Sequence, residues 1–289
     1  MELDIIRGSG DDEISDYVSG CPNSLVYSCP RFIDLIASHL DASPGWILAK
    51  NGTELLGALP FVQSQDGALG TVFNSLPYYG SNGGVVQHVQ DDEIKRSLIE
   101  CFFDFAQSQN SCSATLITNP LVMDHEVYEN CLDGFIRDER IGQITHLPDN
   151  SDDELIEIFD DPRPRNILRA LKEGIQVSSG NEKSSVEFLY EIHVENIKAI
   201  GGLSKSWDFF EKLLSDMPRD LWSVYVGTRN DQPIAALLVF FFNGTAEYFT
   251  PVLISEHRNT QALALVIYDA MKDAVSRKGC KNWNWGGTW

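Results

Sequence analysis

The sequence is short of positive charge. Lys and Arg total 22 against 42 Asp and Glu, a formal net charge of −20. Such a balance disfavours non-specific attachment to DNA, whose phosphates would be repelled across most of the surface. Long apolar stretches are absent as well: no run approaches the roughly 20 residues that cross a bilayer, so no membrane span is expected. The start, MELDIIRGSGDDEISD, is acidic and has no basic-then-apolar leader pattern, which points to a cytoplasmic location. The six cysteines are scattered, with no CxxC pair and no zinc-ligand spacing to histidine, so no metal is expected and the thiols should be reduced and buried. GxSxG, HExxH and a Cys–His signature are missing too, and no side-chain nucleophile emerges.

What is present is patterned as mixed α and β. In Leu221–Gly287 the pattern runs strand, hairpin, strand, hairpin, strand, helix, strand. Ile234–Phe242 is a nearly continuous apolar run of strand length, as expected of a strand buried on both faces. Asn243-Gly244 marks a tight hairpin. Thr245–Ile254 returns as a partner strand carrying Tyr248. Asn259–Lys278 has Leu263, Val266, Ile267, Ala270, Met271, Ala274 and Val275 at helical spacing, and Gly279 ends it. Asn282–Trp285 is a last strand.

The first half repeats this order. Trp46–Lys50, Glu54–Gln63 and Ala68–Leu76 read as strands, Asp91–Gln109 as a helix with Ile94, Leu98, Phe102 and Phe105 on one side, and Ala114–Thr118 as a strand. No sequence repeat is visible, but the repeated order suggests two copies of one fold. Pro148 and the acidic run after it place a boundary between domains 1–147 and 148–289. Gly134–His146 is expected to add a strand pair, or a strand and a turn, to the first domain. Asp124-His125-Glu126 reads as an isolated acidic surface patch.

One basic helix stands out. Arg165–Glu173 carries Arg165, Arg169 and Lys172, spaced four and three apart and therefore on one face. Such a face is either a clamp for a phosphate or carboxylate, or a solvated surface paired with nearby acids. Tyr248 is either a core tyrosine or a substrate contact. Tyr78 and Tyr79, set among glycines and polar residues, belong to a loop that is plain or ligand-contacting.

Several stretches, in order along nearly the whole chain, resemble the FemAB family. Pro164-Arg165-Asn166-Ile167-Leu168-Arg169-Ala170-Leu171-Lys172-Glu173-Gly174 resembles its basic helix. Pro233–Leu238 and Ala246-Glu247-Tyr248 resemble two of its strands, and Trp283-Asn284-Trp285-Gly286-Gly287-Thr288 its closing strand. Leu59-Pro60 and Ser75-Leu76-Pro77-Tyr78-Tyr79-Gly80 resemble its first-domain loop. The resemblance implies an α/β fold of two tandem GNAT-like acyltransferase domains, with mostly antiparallel sheets flanked by helices. It implies transfer of an acyl or aminoacyl group, by direct attack, to an amine of an anionic cell-envelope precursor or a small acceptor. No tightly bound cofactor is expected. The donor would be aminoacyl-tRNA or acyl-CoA, and tRNA is thereby a possible partner.

On this reading Arg165, Asn166, Arg169 and Lys172 orient an anionic group, Tyr248 is the catalytic residue, hydrogen-bonding the substrate or relaying a proton, and Tyr78 and Tyr79 contact substrate. Arg258 and Asn259 open the helix at which GNAT enzymes hold pyrophosphate. The glycines of that turn are missing here, which counts against a standard CoA site. An acyl-CoA-dependent enzyme and an inert GNAT-like binding module stay open as alternatives. Relatives run on past the final Gly-Gly-Thr, so an end at Trp289 is expected to mean either a truncated chain, with the second domain short of its final strands, or an open edge on the last strand.

Overall fold

The computed structural model describes residues 1–66, 70–75, 82–131, 134–149, 152–276 and 278–288. The chain divides into two compact units, residues 1–143 together with the end of the last strand from Gly287, and residues 144–286.

The first unit runs β1 (Glu2–Arg7), α1 (Asp12–Gly20), α2 (Pro30–His39), β2 (Ser43–Asn51), β3 (Glu54–Asp66), β4 (Gly70–Asn74), α3 (Asp92–Ser108), β5 (Ser113–Thr115) and α4 (His125–Asn130). Its sheet has the order β1-β2-β3-β4-β5, antiparallel except for the parallel pair β4–β5. α3 starts where Asp91 accepts hydrogen bonds from the N–H groups of Glu93 and Ile94, with Asp92 and Glu93 against the positive helix end. Its apolar stripe, Leu98, Ile99, Phe102 and Ala106, packs on Ile47, Leu59, Phe61 and Phe73.

One expectation fails here. Asp124 is buried, not a surface acid: its Oδ2 lies 2.6 Å from Lys95 Nζ, and the two side chains are 8% and 1% exposed. The partner comes from α3, far away in sequence, where local polarity gives no hint of it. The thiol expectation holds only in part. All six cysteines are free, and Cys21, Cys29 and Cys280 are buried, but Cys112 is exposed.

The second unit uses β6 (Ile141–His146), α5 (Asp152–Glu157), α6 (Arg163–Lys172), β7 (Gln176–Gly180), α7 (Lys183–Ala199), α8 (Trp207–Asp216), β8 (Trp222–Arg229), β9 (Gln232–Phe242), β10 (Thr245–Leu253), α9 (Ala262–Ser276) and β11 (Asn282–Thr288). From β7 to β11 the succession strand, two helices, three strands, helix, strand matches that from β1 to β5. At the β9–β10 turn Asn243 and Gly244 both adopt positive φ, 43° and 70°, the conformation a two-residue hairpin requires. β9 is buried along nearly its whole length because α7 covers one face of the sheet and α9 the other. On the α9 side Leu237, Val239, Ala246, Val266, Ala270 and Trp283 form the core, and Ile167 and Ala170 of α6 join it. On the α7 side Phe209 packs edge-on against Phe210 and stacks against Phe249, which meets Phe240 edge-on.

Two expectations are corrected in this unit. The sheet order is β6-β11-β10-β9-β8-β7, so β11 is covered by β6 and does not have an open edge. Leu147 N–H donates to the Lys281 carbonyl at 2.8 Å, and Trp285 Nε1 donates to Thr145 Oγ1 at 2.9 Å. The single strand Ile141–His146, assigned from sequence to the first domain, therefore belongs to this sheet; pairing over such a separation leaves no local signal. The second correction concerns α9, which begins at Ala262 and not at Asn259. Ser255–Thr260 is a 3₁₀ turn, and Gln261 (φ 61°) separates it from the helix. The group serving the helix start is Thr260 Oγ1, which accepts from Ala262 N–H at 3.3 Å.

Candidate active site

β10 does not stay in register. Its pairing with β9 jumps between Tyr248 and Thr250, leaving Phe249 as the extra residue of a bulge. Bulges bend a strand and sharpen its twist, and the effect falls on the other edge of β10. There the parallel ladder with β11 covers Thr245–Glu247 against Asn282–Asn284, although β10 continues to Leu253 and β11 to Thr288. Among the described residues no pair is formed beyond that rung, so the two strands part at the bulge.

The separated edge of β10 is provided for by its own sequence. Pro251, two residues before Leu253, turns its backbone to the same side and has no N–H to leave unpaired. At Leu253 the side chain of Asn196 on α7 takes the place of a neighbouring strand: its Nδ2 donates to the Leu253 carbonyl and its Oδ1 accepts from the Leu253 N–H, both at 3.1 Å.

Polar side chains collect where the strands part. Glu247 and Asn284 face each other on the last rung, 1% and 0% exposed. Asn284 Oδ1 accepts from Gly286 N–H at 2.9 Å. Thr250 is buried, and its hydroxyl has no hydrogen-bond partner among the described residues. Lys205, from the loop between α7 and α8, places Nζ 4.9 Å from the centroid of the Phe249 ring. Its backbone N–H donates to Nε2 of His193 at 3.2 Å. That bond makes Nε2 the acceptor and assigns the ring proton to Nδ1. Burial holds the Lys205 amine down to about 8. Burial, and then the Lys205 charge, hold the His193 imidazole down to about 4.

Tyr248 points to the opposite face of the sheet, as alternation requires. Its ring lies 5.2 Å from that of Trp285 and 6.4 Å from that of Trp283, and burial pushes its phenol up to about 12. α6 packs on α9 in this same layer, with Ile167 and Ala170 inward, Arg165, Arg169 and Lys172 exposed, and Asn166 half-buried. Arg165 pairs with Asp161 at 2.6 Å, but both side chains are about 70% exposed, so the pair contributes little. Arg258 and Asn259 are exposed on the 3₁₀ turn. Tyr78 and Tyr79 lie outside the described residues.

Tyr248 and α6 thus share one layer of the sheet, whereas Lys205, His193 and Phe249 occupy the other. Sequence reasoning missed the second group. The available signal was Pro251: a proline inside an otherwise regular strand marks an unpaired edge.

Residues 158–287 match the family model described as the acetyltransferase (GNAT) domain. A search of curated protein sequences finds no match. Among solved structures the chain is similar to FemX, with 13% identity and a TM-score of 0.75, over 100% of this chain and 89% of that one. It is also similar to L-PGS from Bacillus licheniformis (14% identity, TM-score 0.56, 98% of this chain and 77% of that one). A tandem GNAT protein from the clavulanic acid biosynthesis pathway aligns at 12% identity and a TM-score of 0.54, over 99% of this chain and 90% of that one. The chain has a dual GNAT fold like that of FemX, and its residues 158–287 match the GNAT domain family model.

Proposed function

We propose that the chain is an acyltransferase that moves an acyl or aminoacyl group to an amine of an anionic cell-envelope precursor. The observation that carries this reading is the parting of β10 and β11 at the Phe249 bulge, inside the stretch that matches the GNAT model. An opening there admits an acyl group between two strands. A bulge turns backbone groups out of their ladder, and an N–H so turned polarises an acyl carbonyl. The amine attacks the carbonyl carbon directly: the C–N bond forms, the ester or thioester bond breaks, and the leaving oxygen or sulfur takes the proton the amine gives up.

On this reading Arg165, Asn166, Arg169 and Lys172 hold the anionic part of the precursor, Arg258 and Asn259 assist at the turn before α9, and Tyr248 contacts the acceptor. Aminoacyl-tRNA is the donor this reading favours, since the turn before α9 is Ser-Glu-His-Arg-Asn-Thr, without the glycines that let a pyrophosphate approach backbone N–H groups. Acyl-CoA is the second reading, favoured by the match to an acetyltransferase domain.

Purified protein offered each donor type with amine-bearing envelope precursors, and followed by mass spectrometry, separates the two. An Arg165→Ala/Arg169→Ala variant should raise KM for the precursor at least tenfold, the effect of losing about 1.4 kcal/mol of binding. An unchanged KM for the precursor in a folded double variant refutes the clamp.

A further inference from the structure

Lys205 combines features that an ordinary surface lysine lacks. Its backbone is held by His193, a buried imidazole whose Nε2 accepts the Lys205 N–H. Its Nζ lies against the ring of Phe249, the bulge residue beside which β10 and β11 part. The loop leading to it, Gly201 to Ser204, is exposed, whereas Lys205 itself is half-buried, so a small reagent can reach an amine that bulk water solvates poorly. Burial of the ammonium favours its neutral form, and a neutral amine is a nucleophile.

We propose that Lys205 is an acylation site of this protein, its ε-amine taking the acyl group from a small activated ester at the opening between β10 and β11. The Nζ lone pair attacks the carbonyl carbon. The C–N bond forms, the ester C–O bond breaks, and the departing alkoxide takes the proton that the amine gives up. The resulting amide has no charge, which ends the cation–ring contact with Phe249 and lifts the positive field that acts on His193. The inference rests on the acyl-transfer reading only for the natural source of the acyl group.

The size of the effect follows from the burial of the amine. With a pKa of about 8, roughly a quarter of Lys205 is neutral at about pH 7.5, against roughly one part in a thousand for an ordinary lysine. The weaker base is also a weaker nucleophile, with a Brønsted slope of about 0.4–0.5 if amines follow thiolates. The net advantage is roughly tenfold.

The test treats the full chain with limiting N-acetoxysuccinimide at about pH 7.5 and reads acetylation of each lysine by peptide mass spectrometry. Lys205 should be acetylated roughly tenfold faster than exposed Lys172 and Lys183, and the advantage should vanish in guanidinium. Labelling no faster than at Lys172, or a preference that survives unfolding, overturns the inference. Because the small ester needs no turnover, a failed donor screen with selective Lys205 labelling refutes the proposed function alone, and the reverse outcome refutes this inference alone.

Discussion

Acid should loosen the second unit through His193. The imidazole is 6% exposed and is pushed from 6.5 to about 4 by burial and by the Lys205 charge. An unfolded chain takes up this proton near pH 6.5 and the folded one only near pH 4. Between those values unfolding is accompanied by proton uptake, so stability is retained above pH 6.5 and lost as pH falls toward 4. The full shift corresponds to about 3 kcal/mol, of which about 2 kcal/mol is lost by about pH 5. For a unit of this size that is roughly 4–8 °C in Tm. Other groups titrate in the same window, so the comparison needs a variant that keeps the hydrogen bond and does not titrate. His193→Gln offers an amide oxygen to the Lys205 N–H. Thermal melts of both proteins at about pH 7.5 and about pH 5 should show the wild type losing about 2 kcal/mol more than the variant. Parallel pH profiles, or an NMR titration placing the His193 midpoint near the ordinary value of about 6.5, would refute the reasoning.

Two further outcomes follow from buried polar contacts. Lys95→Met strands the Asp124 carboxylate in the first unit and should cost about 3–5 kcal/mol in denaturant unfolding, whereas Lys95→Met/Asp124→Leu should recover much of that loss; a single-variant cost under about 1 kcal/mol would show that the pair is not a sealed one. Asn196→Ala removes both hydrogen bonds to Leu253 and should cost about 1–2 kcal/mol and speed hydrogen exchange of the Leu253 amide about tenfold; unchanged exchange there would mean that another group covers this edge.

The sequence was informative where the determinants are local. The Asn243-Gly244 hairpin, the unbroken apolar run of β9 and the stop of α9 before Gly279 (φ 62°) each depend on a few adjacent residues, and each was found. The repeated order of elements then led to the dual fold. Pairing over long separations was hidden. β6 carries no mark saying that its partner is the last strand, and Asp124 sits between residues that suggest a surface while its partner Lys95 lies on another helix. The candidate site was half visible for the same reason. The cations of α6 are regularly spaced and declare themselves, but Lys205 and His193 acquire their character only from burial and from the Phe249 ring brought over from β10.

The position of β11 between β10 and β6 has a practical side. The stretch that matches the GNAT model starts at residue 158 and leaves out Ile141–His146. A fragment cut to those limits would present the backbone of β11 as a naked margin, ready to recruit strands from neighbouring molecules. The unit that can be handled by itself is therefore longer than its family match, and its N-terminal limit is set by β6, the strand that pairs with β11.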